Sequence, residues 1–191
     1  IFGGRRPHTI PLVYETFDWN HGVFAGSIIS SESTAASTGK VGVLTHNPMA
    51  MMPFCGYNMG KYFAHWLKTG KLLGDKAPKV FNVNWFRTDK NGNFMWPGFG
   101  ENLRVLEWIL DRCEGTIGAK ETPIGFVPFE KDINLQESGV SEETFKNLIE
   151  INTDLWLSEV EDIKNFYKKF DGCLPKELSH ELDKLEKRLC K

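Results

Sequence analysis

From Ser141 to the end of the chain, apolar side chains recur at the spacing of one helical face. Leu155, Trp156, Val160, Ile163, Phe166, Tyr167 and Phe170 form one stripe, and Leu178, Leu182, Leu185 and Leu189 a second. The leucine stripe is shorter than the roughly three or four heptads a coiled coil needs, so both stripes are expected to pack against the rest of the domain. Upstream, the pattern alternates between strand and helix. Residues 10–15 read as a short strand, with Pro11 at its start, where a missing N–H costs least. Asp18 or Asn20 offers an N-cap for a small, apolar helix over 22–29. Residues 56–71 have helical spacing, and 80–83 alternate as a strand. Residues 103–113 place Leu103, Leu106, Ile109 and Leu110 on one helical face, which Val105 and Trp108 widen. This is the pattern of an α/β fold with a helical tail over 141–191.

Between Trp85 and Asn102 the chain crowds five aromatic rings, Trp85, Phe86, Phe94, Trp96 and Phe99, among glycines and polar residues. Rings in that number usually belong to a core. Here Arg87, Asp89, Lys90, Asn91 and Asn93 interleave with them, which favours a loop near solvent. Aromatic faces can sandwich a flat base, Gly98 and Gly100 let the backbone approach a base edge, and the Asn102 amide both donates and accepts. The stretch therefore reads as a slot for a planar, hydrogen-bonding ligand.

Other features bound the possibilities. The 191 residues fit one domain, and 23 Lys+Arg against 25 Asp+Glu leave a net charge of −2. No whole-chain basic field for nucleic acid exists, so an anion has to be gripped locally. Gly3-Gly4-Arg5-Arg6-Pro7 joins flexible backbone to adjacent guanidinium groups suited to phosphate; in an extended segment only one of the two arginines faces a given ligand. Residues 30–42 are small and polar, the texture of a surface loop or a lid. No G-x-x-x-x-G-K-[ST] loop, H-E-x-x-H spacing or nucleophile elbow is present. His21 alone among the five histidines is a candidate to lie near a site. Cys55, Cys113, Cys173 and Cys190 lack the spacing of a zinc site or redox pair, which fits a reducing, intracellular compartment. No apolar run approaches the roughly 20 residues of a membrane helix. The start at Ile1, without an initiator Met, reads as the interior of a longer protein.

Several ordered blocks make the chain closely resemble the C-terminal part of GTP-dependent phosphoenolpyruvate carboxykinase. They are Phe2-Gly3-Gly4-Arg5-Arg6-Pro7, Pro11-Leu12-Val13-Tyr14-Glu15, His21-Gly22-Val23-Phe24, Ser31-Glu32-Ser33-Thr34-Ala35-Ala36, Val83-Asn84-Trp85-Phe86-Arg87, Trp96-Pro97-Gly98-Phe99-Gly100-Glu101-Asn102 and Glu121-Thr122-Pro123-Ile124-Gly125. The likeness spans essentially the whole chain and is least distinctive after about Phe129.

The resemblance implies a mixed sheet with flanking helices, the nucleotide-binding side of the catalytic domain. It implies a lyase that converts oxaloacetate and GTP to phosphoenolpyruvate, GDP and CO2. Mn²⁺ would act at the centre and Mg²⁺ or Mn²⁺ would travel with GTP. By position, Arg5 would contact the phosphates, and Trp85, Phe86, Phe94 and Phe99 would enclose guanine. Phe99, Gly100, Glu101 and Asn102 would read the base edge. Residues 33–43, with Ser33, Thr34, Ala35 and Ala36, would form a lid that shields the enolate from water. The N-terminal domain, the phosphate loop and all metal ligands would precede Ile1, leaving this piece without catalytic or metal-binding residues and inactive alone. The whole protein is expected to be a monomeric, cytoplasmic enzyme with no nucleic-acid or membrane partner, a mitochondrial form staying open. Ser30 and Met52 stand where the family pattern has arginine, and Ser37-Thr38-Gly39 replaces a charged lid stretch. Two other readings stay open: a guanine-nucleotide-binding module without chemistry, and a carbohydrate or peptide binder using exposed rings.

Overall fold

The computed structural model describes residues 1–33, 42–170 and 172–191. A five-stranded sheet runs in the order β1 (Phe2–Gly3), β5 (Phe81–Val83), β2 (Val13–Glu15), β7 (Gly125–Val127), β6 (Lys120–Thr122). β1 and β5 are parallel and the other pairs antiparallel, so the sheet is mixed. All three residues of β2 are buried, because both faces of the sheet are covered. Val13 joins one core with Phe81 and Val83 of β5, and Tyr14 points into the other.

The first core gathers α1 (Trp19–Ser27), α2 (Met59–Leu73) and the two tail helices α5 (Thr153–Tyr167) and α6 (Lys176–Leu189). Asp18 caps α1, its side chain accepting from the His21 amide at 2.8 Å, and Asn58 caps α2 in the same way through Gly60. Both tail stripes are buried here, as their spacing requires; Leu155, at 39% exposure, lies at the edge of its stripe. The second core lies across the sheet and is built by α3 (Asn102–Glu114) and α4 (Glu142–Ile149).

One face assignment is corrected. α3 buries Val105, Trp108 and Ile109, whereas Leu103 and Leu110 are 70% and 62% exposed. The indole decides the rotation: Trp108 meets Phe81 edge-on at 6.1 Å, burying the largest ring and turning the leucine row outward.

Apart from the main sheet, β3 (Ser30–Glu32) and β4 (Leu44–His46) form an antiparallel pair, with Ser30 opposite His46 and Glu32 opposite Leu44. The His46 ring lies flat on Phe166, 3.9 Å between centroids, and its Nε2 meets Asp162 Oδ2 at 2.7 Å. This pair is thereby fastened to α5.

Candidate nucleotide site at the aromatic loop

The segment carrying the two arginines crosses from β1 to run beside β3. A side chain at Gly4 would bring its Cβ to 2.5 Å from the Ser30 carbonyl oxygen, so only glycine allows this approach. The Arg5 amide donates to Ser31 Oγ at 3.2 Å, and the Glu32 amide donates to the Arg5 carbonyl at 2.8 Å. The arginines then diverge, as an extended backbone demands. Arg6 is 4% exposed and turns inward, where it pairs with Glu159 and donates to Ser30 Oγ at 2.5 Å. Ser30 is thus a buried acceptor for Arg6. Arg5 turns outward. Its guanidinium carbon lies 5.3 Å from the centroids of both Phe86 and Phe94, within cation–π range. Its Nε also faces Glu32 Oε2 at 3.5 Å.

Asn84 ties the arginines to the aromatic loop. It is fully buried; its Nδ2 donates to the carbonyls of Arg6 and Ile10 at 2.7 and 2.8 Å. Its Oδ1 accepts from the amides of Arg6 and Phe86 at 3.3 and 3.2 Å. One amide side chain therefore sets the distance between the arginine segment and Phe86.

Within the loop, Phe86 and Phe94 meet edge to face with centroids 6.0 Å apart. The Thr88–Phe94 bridge and a Met95-to-Arg87 backbone bond of 2.9 Å fold the loop back on itself. Phe94 is half exposed and Phe99 is 99% exposed, so the rings form a surface open to solvent. Among the described residues, Trp85 and Phe99 pair with no other ring; Trp85 packs on the edge of the second core. The structure thus brings together Arg5, Phe86 and Phe94, and sets Phe99 apart.

Phe99 follows Gly98, whose φ of +76° lies in the left-handed region, and itself has φ of +34°, a backbone cost that bulky residues rarely carry. This strained corner opens the turn Phe99–Glu101 that leads into α3. The Glu101 carboxylate pairs with Arg104, which also donates to the carbonyls of Asn134 and Gln136 at 2.8 and 2.9 Å. Gly100 is exposed beside it. Asn102, the first residue of α3, is half-buried, and its Oδ1 accepts from Trp96 Nε1 at 2.9 Å. Trp96 itself is 1% exposed. Of the loop's rings, Trp96 alone is sealed in the interior.

Ser33 closes the stem of the β3–β4 pair. Its amide donates to the Val43 carbonyl at 2.8 Å, and the Gly42 amide donates to the Ser33 carbonyl at 3.3 Å. Thr34, Ala35 and Ala36 of the expected lid lie outside the described residues. Glu32 and Asn84 were not singled out from the sequence, because their partners lie far away along the chain, and Trp96 was read as a ring of the slot where it is a buried donor to Asn102.

His21 is not near this site. It is 2% exposed, stacked between Phe17 and Phe24, and its Nδ1 accepts from the Phe17 amide at 3.1 Å. Burial, reinforced by Arg188 and Lys184, lowers its pKa to about 3 against the opposing pull of Asp18, so it is a neutral core histidine. Among the described residues, no group of three or more His, Cys, Asp or Glu side chains is placed to hold a metal ion. Nor does any of their helices have the length and apolarity to cross a membrane.

A family model described as the phosphoenolpyruvate carboxykinase C-terminal P-loop domain matches residues 1–188. A phosphoenolpyruvate carboxykinase (GTP) of Chlamydia abortus is 50% identical over 190 residues, which cover 99% of this chain and 32% of that protein. One from Treponema pallidum is 50% identical over 192 residues, covering 99% of this chain and 31% of its own. A mitochondrial form from Mus musculus is 51% identical over 192 residues, covering 100% of this chain and 30% of its own. The chain thus spans about a third of the length of these relatives. With a match across nearly its full length, the chain belongs to the GTP-dependent phosphoenolpyruvate carboxykinase family, in that family's C-terminal domain.

Proposed function

We propose that the full-length protein converts oxaloacetate and GTP to phosphoenolpyruvate, GDP and CO2, and that this chain supplies its guanine slot, its phosphate-facing arginine and its lid. Oxaloacetate loses CO2 to leave an enolate, whose oxygen then takes the γ-phosphoryl group as GDP departs. In this reading Phe86, Phe94 and Phe99 stack on the base, with Trp85 behind them. Gly100 and Asn102 face its edge, and Glu101 holds the turn through Arg104. Arg5 leaves the rings for the phosphates.

The observation that carries the reading is the position of Arg5. It touches two aromatic rings of the loop and the last residue of β3, so the base-facing and lid-bearing parts of the chain meet at one cation. Lid residues 33–43 exclude water while the enolate exists. Divalent ions, Mn²⁺ at the centre and Mg²⁺ or Mn²⁺ with GTP, supply charge neutralisation when bound. Among the described residues, no group of three or more His, Cys, Asp or Glu side chains is placed to hold them, and no step assigned to this chain runs through a metal. The full-length protein is a monomer of the cytoplasm or, like the mouse relative, of the mitochondrion, and the chain alone is inactive.

The test is steady-state phosphoenolpyruvate formation by the full-length protein. Turnover with GTP or ITP and little with ATP is expected; equal use of ATP defeats the guanine assignment.

A further inference from the structure

The side chain with which the chain would read a base edge has its own orientation fixed from behind. Asn102 carries two unlike polar ends, an oxygen that accepts and an NH2 that donates, and either could face a ligand if the amide were free to turn. It is not free. Trp96 Nε1 lies 2.9 Å from Asn102 Oδ1, and an indole N–H can only donate, so the amide oxygen has to face the indole. Trp96 is 1% exposed and packed in the second core with Val105 and Trp108, so it cannot follow a rotating amide. Among the described residues, Asn102 Nδ2 has no acceptor. At the start of α3, directly after the exposed Phe99–Glu101 turn, the remaining polar end is a donor.

We infer that Trp96 is the positioning residue for base selectivity: by holding the Asn102 oxygen it leaves only the amide NH2 for a bound base. This rests on the guanine-slot reading above. A donor at that point suits the O6 acceptor of guanine or hypoxanthine. It opposes adenine, which carries a donor amine at the same ring position. Selectivity thus comes from repulsion of the wrong base as well as attraction of the right one. Without the indole N–H, the amide could flip and offer its oxygen to adenine.

The experiment measures GDP and ADP affinities of the full-length protein by calorimetry, for wild type, Trp96→Phe, Asn102→Ala and the double variant. Trp96→3-benzothienylalanine, which places sulfur where the N–H stood and keeps the ring's shape, covers the case in which Trp96→Phe does not fold. Wild type is expected to favour GDP, and either Trp96 replacement to shrink the GDP-to-ADP ratio by about tenfold, the scale of one well-placed hydrogen bond. In the Asn102→Ala background, the Trp96 replacement should change the ratio no further. A ratio that survives loss of the indole N–H overturns the inference and leaves the guanine slot standing. Equal, additive ratio changes in both backgrounds overturn it as well. Equal GDP and ADP affinities in wild type sink the slot reading itself.

Discussion

Arg5 and Glu32 form an ion pair, Nε to Oε2 at 3.5 Å, with side chains 34% and 19% exposed. A pair this accessible contributes only about 0.2–1 kcal/mol to stability, so its importance lies in where it holds the guanidinium. Glu32 competes for Arg5 with any phosphate. Glu32→Gln in the full-length protein is therefore expected to tighten GDP binding by about two- to fivefold, within that same range. Titration calorimetry checks it, and unchanged affinity contradicts the competition.

Arg5→Ala removes the cation altogether. Nucleotide affinity and turnover should fall together, because the guanidinium holds the bound phosphates and meets the further charge that develops on them as the phosphoryl group is transferred. Undisturbed kinetics would return Arg5 to a purely structural partner of Glu32.

Phe99 is 99% exposed, so truncating it takes almost no apolar surface out of the fold. Phe99→Ala should leave the melting temperature nearly unchanged, and Ala at φ of +34° is no better tolerated than Phe. GTP binding should weaken by about 1–3 kcal/mol, the scale of one base–aromatic stack. A variant with a lower melting temperature and wild-type affinity would assign the ring to packing.

Asn84 presents the opposite case. All four hydrogen bonds of its side chain are to backbone groups, and it is fully buried. Asn84→Leu leaves those groups unpaired, and a loss of about 2–5 kcal/mol is expected in chemical denaturation, in line with several orphaned polar groups. A loss under 1 kcal/mol, on the order of a surface change, would mean the segment relaxes and that Asn84 does not set its spacing.

The neutral core histidine makes stability depend on pH. His21 has a folded pKa of about 3 against the 6.5 of an ordinary histidine, so between these values the unfolded chain binds a proton that the folded chain refuses. Stability therefore rises with pH through this window and is lost as pH falls from 6.5 toward 3, by up to about 1.4 kcal/mol per pH unit. Between pH 7 and 5, above most carboxylate titrations, His21→Gln should flatten the melting-temperature profile. A variant profile as steep as wild type would place the dependence elsewhere.

What was legible in the sequence follows from period and local chemistry. The tail stripes, the Asp18 cap and the divergence of Arg5 and Arg6 are each dictated by neighbours within a few residues, and all are found in the structure. The face of α3 was misread because its leucine row and its Val105–Trp108–Ile109 row are both helical in period, and only the indole's contact with Phe81 chooses between them. Trp96, counted among the slot's rings, lies in the core, where its N–H matters more than its face. Glu32 and Asn84 were invisible because their partners are defined by β3 running beside the arginine segment and by β1 pairing with β5.

The most direct test is a crystal structure of the full-length protein with GDP bound. The account predicts the base against Phe86, Phe94 and Phe99, its O6 within hydrogen-bond reach of Asn102 Nδ2, and Arg5 moved from the rings to the phosphates. A base seated elsewhere, with Arg5 still over Phe86 and Phe94, would contradict it.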